Sequence, residues 1–143
     1  PSRRSIDAGG ETVAELPLIW VGAVGGVAWK SRPLRLAFAT NCIFRSGVQA
    51  ALDASGMAWE MAVESESGRA IEASVSADLA VHAVLAGSEP PYVERINHCG
   101  ALPDLGRMRV NMYTADPVHS TAVHDLAAMI RLAYQARGLQ AVA

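Results

Sequence analysis

Between Leu34 and Leu85 the apolar pattern switches repeatedly between two periods, and this limits the fold more than any other feature of the chain. Leu34, Leu36 and Phe38 alternate with their neighbours, which is the period of a strand. From Phe44 the spacing becomes Phe44, Val48, Ala51 and Leu52, one stripe of a helix. Trp59, Met61 and Val63 return to alternation, Ile71 and Val75 lie a helical turn apart, and Leu79 to Leu85 is an apolar run suited to a buried strand. Strands alternating with helices predict an α/β sheet with right-handed crossovers. The punctuation agrees. Asn41 suits the N-cap of the first helix, Gly56 its C′ stop, and Ser65 or Ser67 the cap of the second.

The flanks extend the pattern. Residues 16–22 are apolar at every position, as expected for a strand covered on both faces of a parallel sheet, and Pro1 to Thr12 reads as a polar lead-in with a turn at Gly9-Gly10. Gly22-Ala-Val-Gly-Gly26 ends the strand, and Pro33 precedes the next one. Glu89-Pro-Pro91 closes the third strand segment, and Asn97 to Asp104 reads as loop. Met108, Val110 and Met112 alternate with Arg107, Arg109 and Asn111, a half-exposed strand. Asp116-Pro117 signals a helix start with Pro at the first helical position. Its expected core stripe is Val118, Ala122, Leu126, Met129, Ile130 and Ala133, with Gly138 as its stop.

Composition narrows the function classes. A chain of 143 residues with 51% hydrophobic and 18% charged residues can bury a real core and is not a disordered segment. The formal net charge is −2, and the basic clusters are only Arg3-Arg4 and Lys30-Ser-Arg32, which argues against a free-standing nucleic-acid binder. Cys42 and Cys99 form neither a disulfide framework nor a CxxC pair, so a reducing, cytoplasmic setting is expected. No apolar run reaches the roughly 20 residues of a membrane span, and no signal-peptide core is visible at the N-terminus. A chain that begins at Pro1 without an initiator Met reads as a fragment or a processed product.

Several segments carry residue types suited to chemistry. Gly22 to Gly26 superficially matches a phosphate-binding loop, but such a loop must open a helix, and here a strand follows. A hinge loop is the better reading. His98-Cys99, His119 and His124 offer metal-ligand types, yet His119 and His124 are five apart, about 140° around a helix, and share no face. No metal or cofactor is expected. Cys42 at a helix start is the best candidate nucleophile, because that position lowers a thiol pKa, but no spacing supplies its base. His82, inside an apolar strand, fits a satisfied buried histidine or a ligand contact. Trp20, Trp29 and Trp59 fall in strand and hinge contexts and read as core or interface residues.

The order of the segments resembles the C-terminal half of the effector-binding domain of LysR-type transcriptional regulators. The resemblance is carried by residues 16–22, by Leu34 to Phe38 leading into Asn41-Cys-Ile-Phe-Arg45, by Trp59 to Ser65, and by Asp78 to Leu85, over roughly residues 14–137. It implies a periplasmic-binding-protein-like (type II) α/β fold that is incomplete, with its first strands and a winged helix-turn-helix lying before Pro1. After a lead-in at 1–15, residues 16–33 would end the first subdomain and cross over. Residues 34–105 would form the second subdomain, and 106–143 would return to the first. The family often carries Thr near His82, so His82 gives this pocket its own chemistry. The expected function is a ligand sensor and not an enzyme. A small organic anion or polar metabolite would sit at the helix starts marked by Thr40, Asn41, Cys42 and Ser65, with His82 nearby. DNA would be reached only through the absent N-terminal domain. A homo-oligomer is expected, using the helix at 44–55 or apolar surface left uncovered at Leu18, Trp20, Leu126 and Met129. The alternatives are an α/β enzyme domain with Cys42 as nucleophile, and a periplasmic solute-binding fragment.

Overall fold

The alternating pattern becomes a mixed α/β fold in a computed structural model of the chain, which describes residues 10–114 and 121–140. The chain divides into two compact units, one of residues 18–106 and the other of residues 1–17 with 107–143. A single long strand, β1 (Glu11–Ala23), contributes to both.

In the larger unit β2 (Leu34–Ala39) and β3 (Trp59–Ser65) run parallel, from Leu34 opposite Trp59 to Ala39 opposite Ser65. The register slips between Leu36 and Ala37, so Ala62 is the extra residue of a bulge. The helix α1 (Arg45–Ala54) connects them, burying Val48 and Leu52 as the stripe requires. Gly56, at φ +68, ends it in the left-handed conformation that favours glycine. Next come α2 (Gly68–Ser76), which buries Ile71 and Val75, and β4 (His82–Leu85). Leu36 bridges Val81 in parallel, and Ala37 N–H donates to the Val81 carbonyl at 3.0 Å. Burial of four such aliphatic side chains on two helices stabilises the unit by about 1.5–3 kcal/mol each.

Strand β1 corrects two expectations. It begins at Glu11 and not at residue 16, so part of the expected lead-in is strand, while residues 1–9 lie outside the described residues. Its neighbours are antiparallel. Leu18 to Val21 pair with β4, and Val21 to Ala23 with β5 (Val93–Arg95), a three-residue strand too short to leave a periodic signal. The strand expected to end the first subdomain thus lies, from Leu18 onward, inside the larger unit. Leu18, Ile19, Trp20 and Val21 are all buried, so both faces of β1 are covered here, which accounts for its continuous apolar run. Leu18 and Trp20, expected on an uncovered surface, are only 7% and 3% exposed. The Trp20 indole N–H donates to the Pro103 carbonyl at 2.9 Å, which satisfies its one polar atom.

The smaller unit joins the first half of β1 to β6 (Arg107–Met112) in an antiparallel ribbon, Pro17 opposite Arg107 and Glu11 opposite Met112. Met108, Val110 and Met112 are half-buried while Arg107 and Arg109 are exposed, as the alternation predicts. Its helix α3 is described over Thr121–Gln140, so Asp116, Pro117 and Val118 lie outside the described residues. The helix runs through Gly138, which therefore does not end it. Its inward face is Ala127, fully buried, with half-buried Val123, Ile130 and Tyr134. Of the expected stripe, Leu126 and Met129 are instead 56% and 66% exposed. Arg131 donates a two-pronged bond to the Glu11 carboxylate, with the closest contact at 2.7 Å.

Candidate functional site

The parallel pair β2–β3 sets the geometry. Both strands end at the same edge of the sheet, and the Thr40 N–H donates to the Ser65 carbonyl at 3.3 Å. Two of the sequence-selected positions, forty and sixty-five, are therefore adjacent through their backbones. Each is followed at once by a turn into a helix, so α1 and α2 start on the same strand edge. The first N–H groups of a helix lack intrahelical partners and carry the positive end of its dipole.

The local turns differ from those expected. Residues 40–44 form turns closed by Cys42 N–H to the Ala39 carbonyl at 3.1 Å and Arg45 N–H to the Cys42 carbonyl at 3.2 Å. The N-cap of α1 is Phe44, in helical conformation and with no side-chain cap bond, and not Asn41. A residue that already adopts helical angles cannot aim a side chain back at the first turn, so the tight turns replace the cap. Asn41 and Thr40 are both exposed, and among the described residues neither side chain has a hydrogen-bond partner. Cys42 is half-buried with a free thiol. At the second helix Ser67 occupies the N-cap without a side-chain bond, while the Ser65 hydroxyl accepts the Ser67 N–H at 3.1 Å. Ser65 thus shapes the turn that starts α2.

Sequence reasoning missed a charge pair at this edge. Arg45, the first residue of α1, donates from its guanidinium to the Glu64 carboxylate at 2.8 Å. The pair raises the Arg45 pKa and holds Glu64 below the usual carboxylate range, in each case chiefly through this hydrogen bond. A signal existed. A cation in a helix's first turn opposes the dipole and calls for a compensating partner.

His82 stands apart from the turn. It opens β4, and its Nδ1 lies 2.8 Å from the Ala37 carbonyl. Its ring meets Phe38 edge-on with centroids 4.6 Å apart. Burial lowers its pKa from 6.5, opposed by the Ala37 carbonyl bond and the charge of Glu72. Its neighbours are in the sheet and on α2, and the neutral imidazole donating to Ala37 satisfies the buried face.

The glycine-rich segment holds no vacant phosphate cradle. Gly25 N–H donates to the Glu94 carboxylate at 2.8 Å, and the Val27 and Ala28 N–H groups donate to Asp78 at 2.9 Å. His98 and Cys99 lie in the loop before β6, where His98 Nδ1 accepts the Leu102 N–H at 3.2 Å. His119 lies outside the described residues. Among the described residues no group of three potential ligands could hold a metal, and no helix is long and apolar enough to cross a membrane.

No family model matches the sequence, and no curated protein does. Solved structures do. The regulatory domain of Synechocystis PCC6803 CcmR in complex with 2-PG is similar with a TM-score of 0.58 at 11% identity, over 87% of this chain and 66% of that one. Full-length CbnR complexed with its target DNA gives 0.56 at 14% identity, over 87% of this chain and 48% of that one. The effector domain of the transcriptional regulator AmpR of Pseudomonas aeruginosa gives 0.54 at 11% identity, over 94% and 69%. The chain spans about two thirds of the isolated domains and about half of the full-length regulator. These similar structures are transcriptional regulators or their regulatory domains. At such identities the likeness concerns the fold: the chain has the type II periplasmic-binding-protein-like fold of LysR-type effector-binding domains.

Proposed function

We propose that this chain is the ligand-sensing part of a LysR-type transcription regulator, and that a small organic anion or polar metabolite binds at the ends of β2 and β3. The observation that carries the reading is the Thr40–Ser65 backbone bond of 3.3 Å, which sets two helix starts on one strand edge. In open α/β sheets ligands gather outside the carboxyl ends of the strands. Thr40 and Asn41 supply unpartnered polar side chains there, Ser65 and Cys42 shape the turns, and Arg45 adds a cation that Glu64 neutralises while no ligand competes. A ligand anion meeting backbone N–H groups gains roughly 1.5–3 kcal/mol per charge-assisted bond. One edge gives weak binding, and residues from the rest of the effector domain supply the remainder. The fold likeness supports a sensor, since a domain of this fold is known in complex with 2-PG. His82 acts from behind the edge by fixing β2 against β4. In the whole cytoplasmic regulator, a homo-oligomer, effector binding shifts oligomer geometry and so the DNA contacts of a separate domain.

Calorimetry of the intact regulator against a panel of small organic anions tests the reading. Thr40→Ala, Asn41→Ala and Ser65→Ala are each expected to weaken binding by on the order of tenfold, equal to about 1.4 kcal/mol. Unchanged affinity in all three places the site elsewhere. Substrate turnover that is lost in Cys42→Ala would replace the sensor with an enzyme.

A further inference from the structure

The segment that the sequence marks as most pliant, Gly22 to Gly26, is held at more points than its composition suggests. Val27 N–H donates to both Asp78 carboxylate oxygens, at 2.9 and 3.1 Å, and Ala28 N–H donates to Oδ1 at 2.9 Å. Gly25 N–H donates to Glu94 Oε1 at 2.8 Å. Gly26 N–H turns back to the Ala23 carbonyl at 2.9 Å. Four consecutive N–H groups, from Gly25 to Ala28, thus all have acceptors, and three of them use carboxylates at least fifty residues away in sequence. Successive N–H groups converging on an anion form a nest, a concavity that favours negative charge. Here the chain fills its own nest.

The surrounding backbone is fitted to this arrangement. A Cβ on Gly26 would collide with Asp78 Oδ1, and would lie 2.9 Å from both Cβ and the carbonyl oxygen of Ala23. Gly25 sits at φ +65, and Asp78 itself adopts φ +57, a conformation that costs most residues about 1 kcal/mol or more. Glycine adopts positive φ without steric cost, so the conformational cost falls on Asp78, whose bonds must offset it.

We propose that Asp78 and Glu94 form a two-point carboxylate lock that makes the loop from Val24 to Ala28 a fixed corner of the larger unit and not a hinge. Asp78 holds the Val27–Ala28 side and Glu94 the Gly25 side, each independently. Both carboxylates belong to the same unit as the loop, so the lock persists whatever the other unit does.

Residue-resolved amide hydrogen exchange on the full chain tests this. In the wild type, Gly25 and Val27 exchange slowly although both are exposed, and the buried Ala28 exchanges slowly with them. Asp78→Asn is the informative variant, because Asn tolerates positive φ and removes only the charge and one acceptor. It is expected to speed Val27 and Ala28 at least tenfold relative to Leu36 and Ala37 of β2, leaving Gly25 slow. Glu94→Gln is expected to do the reverse. Gly26→Ala keeps both carboxylates in the sequence and, by pushing Asp78 aside, should speed Val27 and Ala28 while leaving Gly25 slow. The proposal is overturned if the loop amides exchange fast in the wild type, or if Asp78→Asn speeds them no more than the β2 reference amides.

Discussion

His82 shows how much one side chain's surroundings decide. Its pKa lies below 6.5 chiefly because burial disfavours the charged ring. A depressed pKa means that the folded state binds fewer protons than the unfolded chain below pH 6.5. The stability it contributes is present above that pH and is lost as pH falls through the folded value. Thermal unfolding followed from pH 7 to pH 5 should show a falling Tm, and His82→Gln should flatten that slope. Glu11 and Glu64, both held below 4.5 by arginine partners, act only at lower pH and should not contribute within this window. Leu52, at 0% exposure, and Leu126, at 56%, give the second contrast at this scale. Leu52→Ala should cost about 2–5 kcal/mol in denaturant unfolding of the larger unit. Leu126→Ala should stay within about 0.5 kcal/mol, although both leucines lie on apolar helical stripes.

At the scale of elements, α1 and β3 are tied twice, by Arg45 to Glu64 and by the Trp59 indole N–H donating to Asp53 at 2.8 Å. Both contacts are exposed, so they orient the helix more than they stabilise it. Glu64→Gln should leave stability nearly unchanged while freeing the Arg45 charge. Tighter binding of an organic anion by this variant, read by titration calorimetry, is the expected outcome, and weaker binding would assign Glu64 to ligand contact instead. The helix α3 shows where periodicity fails. Ala122, Leu126, Met129 and Ala133 form one apolar row, and Val123, Ala127, Ile130 and Tyr134 form another beside it. Two adjacent rows fit the 3.6-residue period equally well, and burial falls on the second. Strand β5 was invisible for the opposite reason, since Val93-Glu-Arg95 has one apolar residue and is strand only because Val21 to Ala23 pair with it.

For the whole molecule, the two units differ in how much they bury. Among the described residues the smaller unit has two buried hydrophobic side chains, Leu16 at 2% and Ala127 at 5% exposure, whereas Leu34, Leu36, Ala37, Phe38, Val48, Leu52, Ala80, Val81 and Ala83 of the larger unit all have 0% exposure. A two-stranded ribbon is marginal by itself in water, and among the described residues the helix of this unit buries only Ala127. Unfolding should therefore depart from a single two-state transition. Amides of β6 are expected to exchange faster than those of β2 under native conditions, and equal protection would show that the units unfold together. Leu126, Met129 and Leu132 stay exposed, so the helix of the smaller unit keeps apolar side chains in solvent.

The sequence alone determined the alternation of elements, the helices with one apolar stripe and the strand at 107–112, because each is encoded by a local period and by turn residues, while the binding-protein-like fold followed from the family resemblance in the order of the segments. The start of α2 beside the end of β3 was legible for the same reason. Tertiary structure decided what neighbours choose. It set the antiparallel pairing of β1, since an all-apolar run is equally consistent with parallel or antiparallel partners. It selected the buried row of α3, moved the cap from Asn41 to Phe44, and paired Arg45 with Glu64 and the Gly25, Val27 and Ala28 amides with Glu94 and Asp78. These partners lie nineteen to sixty-nine residues apart. No local pattern records a contact at that separation, because it exists only once the sheet has brought the strand ends together.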